Sequence, residues 1–146
     1  MTYVRETSAG YLTNWAARLF AKAIERRLEG GNSGPMPVFF ALQDGRAMTQ
    51  KALAQMAAVE QPTMANTLAR MERDGLVRRT PDPNDRRSAQ VSLTPLGLER
   101  AKAAFVSAVE VNQLATAALT PDERPLFYDM LHRIIATLDK DGDSAA

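Results

Sequence analysis

Apolar residues recur three and four apart from about Thr7 to Glu29, at Tyr11, Leu12, Trp15, Leu19, Phe20, Ala23, Ile24 and Leu28. This spacing predicts a long amphipathic helix, stopped by the breaker run Gly30-Gly31-Asn32-Ser33-Gly34-Pro35. Met36 to Leu42 reads as a short apolar helix closed by Asp44-Gly45. Thr49 is placed to cap a helix reaching about Ala57, with Leu53 and Met56 turned inward. A further helix opens at Pro62, a residue suited to the first turn, and ends at Asp74-Gly75, where Gly75 fits a left-handed cap. The period then changes. Leu76 to Thr80 reads as a strand, Pro81-Asp82-Pro83-Asn84-Asp85 as a turn, and Ser88 to Leu93 alternates, with Ala89, Val91 and Leu93 on one face. Thr94-Pro95 begins a second long helix, to about Ala118. Thr120-Pro121-Asp122-Glu123 has the form of a capping box before a last helix carrying Leu126, Phe127, Met130, Leu131, Ile134, Ile135 and Leu138. The tail from Lys140 to Ala146 is expected to fray. The fold class is therefore mainly α with one small β-hairpin: helix, turn, helix, strand, loop, strand, set between long helical ends.

Composition narrows the chemistry. The 146 residues contain no cysteine and one histidine, His132, which removes disulfides and thiol chemistry and disfavours a zinc or iron site. His132 lies between apolar positions of the last helix and reads as a surface or interface residue. No run approaches the ~18 apolar residues of a membrane span, and the first residues lack a secretory pattern, so a cytoplasmic protein with no membrane partner is expected. Net charge is +1, but its distribution is uneven. From Arg46 to Leu93 there are eight basic residues (Arg46, Lys51, Arg70, Arg73, Arg78, Arg79, Arg86, Arg87) and five acidic ones (Glu60, Glu72, Asp74, Asp82, Asp85), a net +3 that leaves −2 for the rest. A locally basic middle in a near-neutral chain implies an anionic partner there.

In the helix from Pro62 to Asp74, Met64, Leu68 and Met71 share one face and Thr63, Asn66, Thr67 and Arg70 the opposite one. Short hydrogen-bonding groups followed by a long cation are what a helix seated in a major groove needs, with Asn66 suited to adenine and Arg70 to guanine. A solvated helix face would carry the same pattern. The neighbouring hairpin shifts the balance, because its tip ends in Asp85-Arg86-Arg87, and an arginine on a β-ribbon tip suits a narrow minor groove. Asp82 and Asp85 are expected to support this loop, for instance by holding one guanidinium in a bidentate pair. A weak surface ion-pair network is the competing reading.

Gly75-Leu76-Val77-Arg78-Arg79, Asp82-Pro83-Asn84-Asp85-Arg86-Arg87 and Val91-Ser92-Leu93-Thr94-Pro95-Leu96-Gly97 together resemble the signature of the MarR (multiple antibiotic resistance regulator) family, and Thr49-Gln50-Lys51-Ala52-Leu53-Ala54 resembles its first helix-turn-helix helix. The resemblance runs through nearly the whole chain in element order. It implies a winged helix-turn-helix over residues 46–94 that binds double-stranded DNA, and dimerisation helices over 1–45 and 95–146 that intertwine in a homodimer. The candidate DNA-contacting set is Thr49, Gln50, Gln61, Thr63, Asn66, Thr67, Arg70, Arg86 and Arg87. The family pattern places Arg87 in the minor groove, with Asp85 supporting the loop.

The resemblance also implies an effector pocket between the dimerisation helices and the winged region. Tyr11, Trp15, Met36, Phe39 and Phe40 are its candidate lining, for a small aromatic or otherwise apolar organic molecule; core or dimer interface is the alternative reading of these aromatics. No metal ligand set and no cofactor motif is found. A winged module used only for protein assembly would carry apolar residues in place of Thr63, Asn66 and Thr67 and no arginines on the wing. An enzyme would need a nucleophile–base pair, paired carboxylates in a cleft or a phosphate loop, and none is visible in the sequence.

Overall fold

The computed structural model describes residues 1–145. A 3₁₀ turn at Arg5–Thr7 precedes α1 (Ala9–Glu25), α2 (Met36–Leu42), β1 (Met48–Thr49), α3 (Gln50–Ala57), α4 (Gln61–Arg73), β2 (Val77–Asp82), β3 (Asp85–Leu93), α5 (Pro95–Thr116) and α6 (Glu123–Ala145). The chain divides into two compact units, Met1–Val109 and Glu110–Ala146. The three strands form one antiparallel sheet in the order β1-β3-β2.

The core of the first unit is apolar and closely packed. Val38, Leu42, Leu53, Leu68, Met71 and Val91 are its largest fully buried side chains, drawn from α2, α3, α4 and β3. Truncating any of the leucines to alanine costs about 2–5 kcal/mol in such settings. Ala101, Ala104 and Ala108 give α5 a buried small-residue face. Ser107, also buried, donates its hydroxyl to the carbonyl of Arg27 at 3.4 Å, so its polar group is satisfied.

Local chemistry sets each boundary. The Thr49 hydroxyl accepts the amide of Ala52 at 3.1 Å and caps α3. That helix turns Leu53 and Ala54 inward and leaves Met56 exposed, a correction to the expected inward Met56: Ala57, four residues after Leu53, takes the inner position instead. α4 ends in a Schellman motif. Gly75, at φ 76°, donates to Glu72, and Leu76 donates to Met71, which caps two carbonyls otherwise left open.

The hairpin is locked to the start of α5. Thr94 donates its amide to the Leu76 carbonyl at 3.0 Å and its hydroxyl to the Gly75 carbonyl at 2.6 Å. The same hydroxyl accepts the Gly97 amide at 3.0 Å. Gly97 is buried against the Leu76 backbone, where no side chain fits. One threonine thus joins the end of α4, the base of the wing and the first turn of α5.

α1 begins at Ser8, whose hydroxyl accepts the Tyr11 amide. Its last turns reach the core through Ala23 and Ile24, whereas Tyr11, Leu12, Trp15 and Leu19 are exposed. In the second unit, the backbone amide of Thr120 donates to the Glu123 carboxylate at 2.8 Å and the Glu123 amide donates to the Thr120 hydroxyl at 3.3 Å, the reciprocal pair expected of a capping box. α6 buries none of its side chains fully; Leu126, Tyr128, Met130, Ile134, Ile135 and Leu138 are exposed. The tail expected to fray from Lys140 is helical over its described residues, and Ala146 lies outside them. α6 runs on to Ala145, with the Ser144 hydroxyl donating to the Lys140 carbonyl. Gly142 does not take the left-handed conformation that would stop it.

Candidate nucleic-acid interface

Met64, Leu68 and Met71 anchor α4 in the core, and their burial fixes which residues it presents. Thr63, Asn66 and Arg70 are exposed along the outer face, and Gln61 is exposed at the first position of the helix. Thr67 is half-buried and donates its hydroxyl to the Thr63 carbonyl at 3.1 Å, so its donor is already used. Thr67, Arg70, Met71 and Asp74 border a small cleft closed by Asn32, Gly34 and Pro35 of the α1–α2 connection. Thr49 and Gln50, at the start of α3, are half-buried, and the Thr49 hydroxyl is engaged as the cap.

The wing has an irregular tip. β2 and β3 pair regularly from Val77↔Leu93 to Pro81↔Ala89, and the next pair is Asp82↔Asp85. Arg86, Arg87 and Ser88 therefore bulge out of β3 between two paired positions. Bulges of this kind re-aim side chains. Pro81, which cannot donate to a ladder, lies on the edge strand.

The sequence expectation that Asp82 and Asp85 clasp a guanidinium is corrected. Asp82 accepts the Asn84 amide at 2.9 Å through one carboxylate oxygen and the Gln90 side-chain amide at 3.2 Å through the other, and Asp85 accepts the Arg87 amide at 2.9 Å. The carboxylates brace backbone because an Asx turn places each beside the amide two residues on. Arg86 and Arg87 are exposed and, among the described residues, form no ion pair. Thr94 is the cap that the sequence places before α5, whereas Gln90 is not among the functional residues expected from the sequence. The alternation of β3 set Gln90 on the polar face between two serines, and its length among them was the available signal.

The basic charge of this region is only partly neutralised. Arg46 pairs with Asp44 at 2.6 Å, Arg79 with Glu72 at 3.3 Å and Arg73 with Asp74 at 3.7 Å. The hydrogen bonds from Arg46 hold the Asp44 carboxyl below its ordinary range. Lys51, Arg70, Arg78, Arg86 and Arg87 have no carboxylate partner among the described residues and remain available to phosphates.

The candidate effector residues fall in different surroundings. Met36 and Phe39 are buried in the core. Phe39 also lines a cavity of about 300 Å³ with Leu28, Pro35, Leu76 and Arg100. Phe40 is half exposed, stacks on Phe105 at 5.0 Å and lines a separate cavity of about 400 Å³ with Asp44, Arg46 and Met56. Tyr11 and Trp15 meet edge to face at 6.1 Å under the Arg5 guanidinium. Among the described residues no group of three or more His, Cys, Asp or Glu could hold a metal ion, and no helix is long and apolar enough to cross a membrane.

A helix braced by its own core, an outer face of hydrogen-bonding side chains and a bulged hairpin carrying arginines with no ion pair among the described residues define a winged helix-turn-helix. Residues 38–89 match the model of the MarR family. The transcriptional regulator HosA of Escherichia coli O111:H- is 35% identical over 98 residues, covering 67% of this chain and 73% of HosA. The HTH-type transcriptional repressor NicR of Pseudomonas putida is 32% identical over 95 residues, covering 65% of this chain and 60% of NicR. The crystal structure of the PcaV transcriptional regulator from Streptomyces coelicolor with its natural ligand superposes with a TM-score of 0.82 at 25% identity, covering 93% of this chain and 98% of PcaV. The chain belongs to the MarR family. It is a DNA-binding transcriptional regulator and not an enzyme.

Proposed function

We propose that the protein is a ligand-responsive repressor that binds pseudo-palindromic operators as a homodimer. In this reading residues 46–94 hold DNA, and 1–45 with 95–146 supply the dimer contacts. α4 enters the major groove with Gln61, Thr63, Asn66, Thr67 and Arg70, Thr49 and Gln50 approach the backbone, and Arg87 enters the minor groove with Arg86 near a phosphate. The observation that carries the reading is the pairing, within one compact unit, of an exposed Thr63–Asn66–Arg70 face with wing arginines whose side chains have no ion pair among the described residues. Repression is supported by NicR, a repressor. Homodimerisation is supported by the apolar side chains left uncovered on α1 and α6.

PcaV binds a natural ligand, which supports an effector for this chain. Tyr11 and Trp15 on α1 and the cavity beside Phe39 favour a small aromatic molecule. Its binding would need to differ between free and DNA-bound protein to act as a switch. The test is fluorescence anisotropy on DNA from upstream of the protein's own gene, in excess nonspecific competitor, with and without aromatic candidates. Saturable binding by two chains per site, released by one candidate, is expected. Binding no tighter than to competitor DNA on every upstream fragment would contradict the reading.

A further inference from the structure

We propose that Gln90 is a positioning residue for DNA binding: its side chain fixes the bulged wing tip from which Arg86 and Arg87 project. The inference rests on the reading of the hairpin as a DNA-binding wing and adds a residue to it. Gln90 is half-buried at the middle of β3, opposite Thr80. Its Nε2 donates to an Asp82 carboxylate oxygen at 3.2 Å, across eight residues of chain. This bond spans the defect in the ladder. On one side lies the regular pairing that ends at Pro81↔Ala89, and on the other the isolated Asp82↔Asp85 pair.

Asp82 is the pivot of the tip. Its other carboxylate oxygen takes the Asn84 amide, and its partner Asp85 takes the Arg87 amide. Three residues of β3, 86 to 88, have no opposite number across the bulge. Their course is set by side-chain bonds instead of by the ladder, and the Gln90–Asp82 bond ties that arrangement to the ordered sheet. A hydrogen bond to a charged acceptor is among the stronger neutral-donor contacts. Losing it frees the two exposed arginines to sample many directions, and ordering them again on DNA has an entropic cost. A leucine keeps the size and the strand but cannot donate. A glutamate sets a second carboxylate against Asp82.

The experiment is a double-mutant cycle read as operator affinity, on the DNA site found for the wild type. Gln90→Leu is expected to weaken binding about tenfold per wing, with helical content unchanged and the melting temperature lowered by no more than about 5 °C, the scale of one hydrogen bond lost from the folded protein. Gln90→Glu is expected to weaken it at least as much. In the Arg86→Ala/Arg87→Ala background, Gln90→Leu should have no further effect, because Gln90 acts only through those arginines. If the arginine double variant binds like wild type, the wing reading itself fails. If that variant binds weakly while Gln90→Leu is neutral, or if the two losses simply multiply, the wing reading stands and the role given to Gln90 is overturned.

Discussion

Gly97→Ala tests the joint between the wing and α5. A Cβ on Gly97 would stand 2.0 Å from the Leu76 carbonyl oxygen and 3.0 Å from its carbon, whereas real Cβ contacts below 3.0 Å are essentially never seen. The first turn of α5 must therefore move away by about 1 Å, the difference between those two distances. The obstacle is backbone, and it is held on both sides: Thr94 donates its amide to that same Leu76 carbonyl and its hydroxyl to Gly75. Overpacking of this kind costs about 1–3 kcal/mol, and stretching the Thr94 bond adds about 0.5–1.5 kcal/mol. Alanine's better helix propensity returns about 1 kcal/mol. The net is a loss of roughly 2 kcal/mol, or roughly 6–8 °C in melting temperature for a chain of this size. Thermal unfolding followed by circular dichroism, at one protein concentration for all variants, is the assay. Gly10→Ala is the control: it lies in α1, where an added Cβ meets nothing within 4 Å, and it should be neutral or slightly stabilising. A Gly97→Ala protein that melts at or above the wild type would refute the argument.

On α4, Arg70→Ala should lose about 1–3 kcal/mol of operator binding per half-site and relax base preference at one position; Asn66→Ala should act likewise, and Thr67→Ala less, because its hydroxyl already donates within the helix. Wild-type affinity in all three folded variants would place another helix in the groove. Sedimentation at low micromolar concentration should give a single dimeric species, and a stable folded monomer there would remove the proposed role of the exposed α1 and α6 faces. The Glu123 carboxyl is held below its ordinary value of 4.5, first by the backbone amide of Thr120 and then by its side chain. Its contribution to stability is therefore present above pH 4.5 and lost as pH falls through the lower folded value. The melting difference between wild type and Glu123→Ala should shrink as pH is taken from 6 to 3, and a difference that grows instead would reverse that sign.

Much of the fold was legible in both units because local chemistry decides it. Gly75 at the end of an apolar helix can only be a cap, and the Thr120–Glu123 spacing names its own hydrogen bonds. What escaped depends on partners far along the chain. β1, only Met48–Thr49, is too short to show a period, and it exists because β3 is there to receive it. The bulge at residues 86–88 follows from pairing register, which alternation alone does not fix when the tip is polar. Asp82 and Asp85 were recognised as supports, but which group each would hold depends on that register. Helical spacing put Tyr11 and Trp15 on one face without saying what covers it. It also could not separate Phe39, which packs into the core, from its neighbour Phe40, which stacks half exposed on Phe105.

The most direct test of the central claim is operator affinity against salt concentration for the wild type and the Arg86→Ala/Arg87→Ala variant, with helical content checked by circular dichroism. The variant is expected to bind many sequences more weakly, to lose some preference for A·T-rich flanks, and to show a salt slope lower by about one counterion for each phosphate that it no longer neutralises. Wild-type affinity with an unchanged slope would mean that the hairpin is a solvated surface loop and that this protein holds its DNA without a wing.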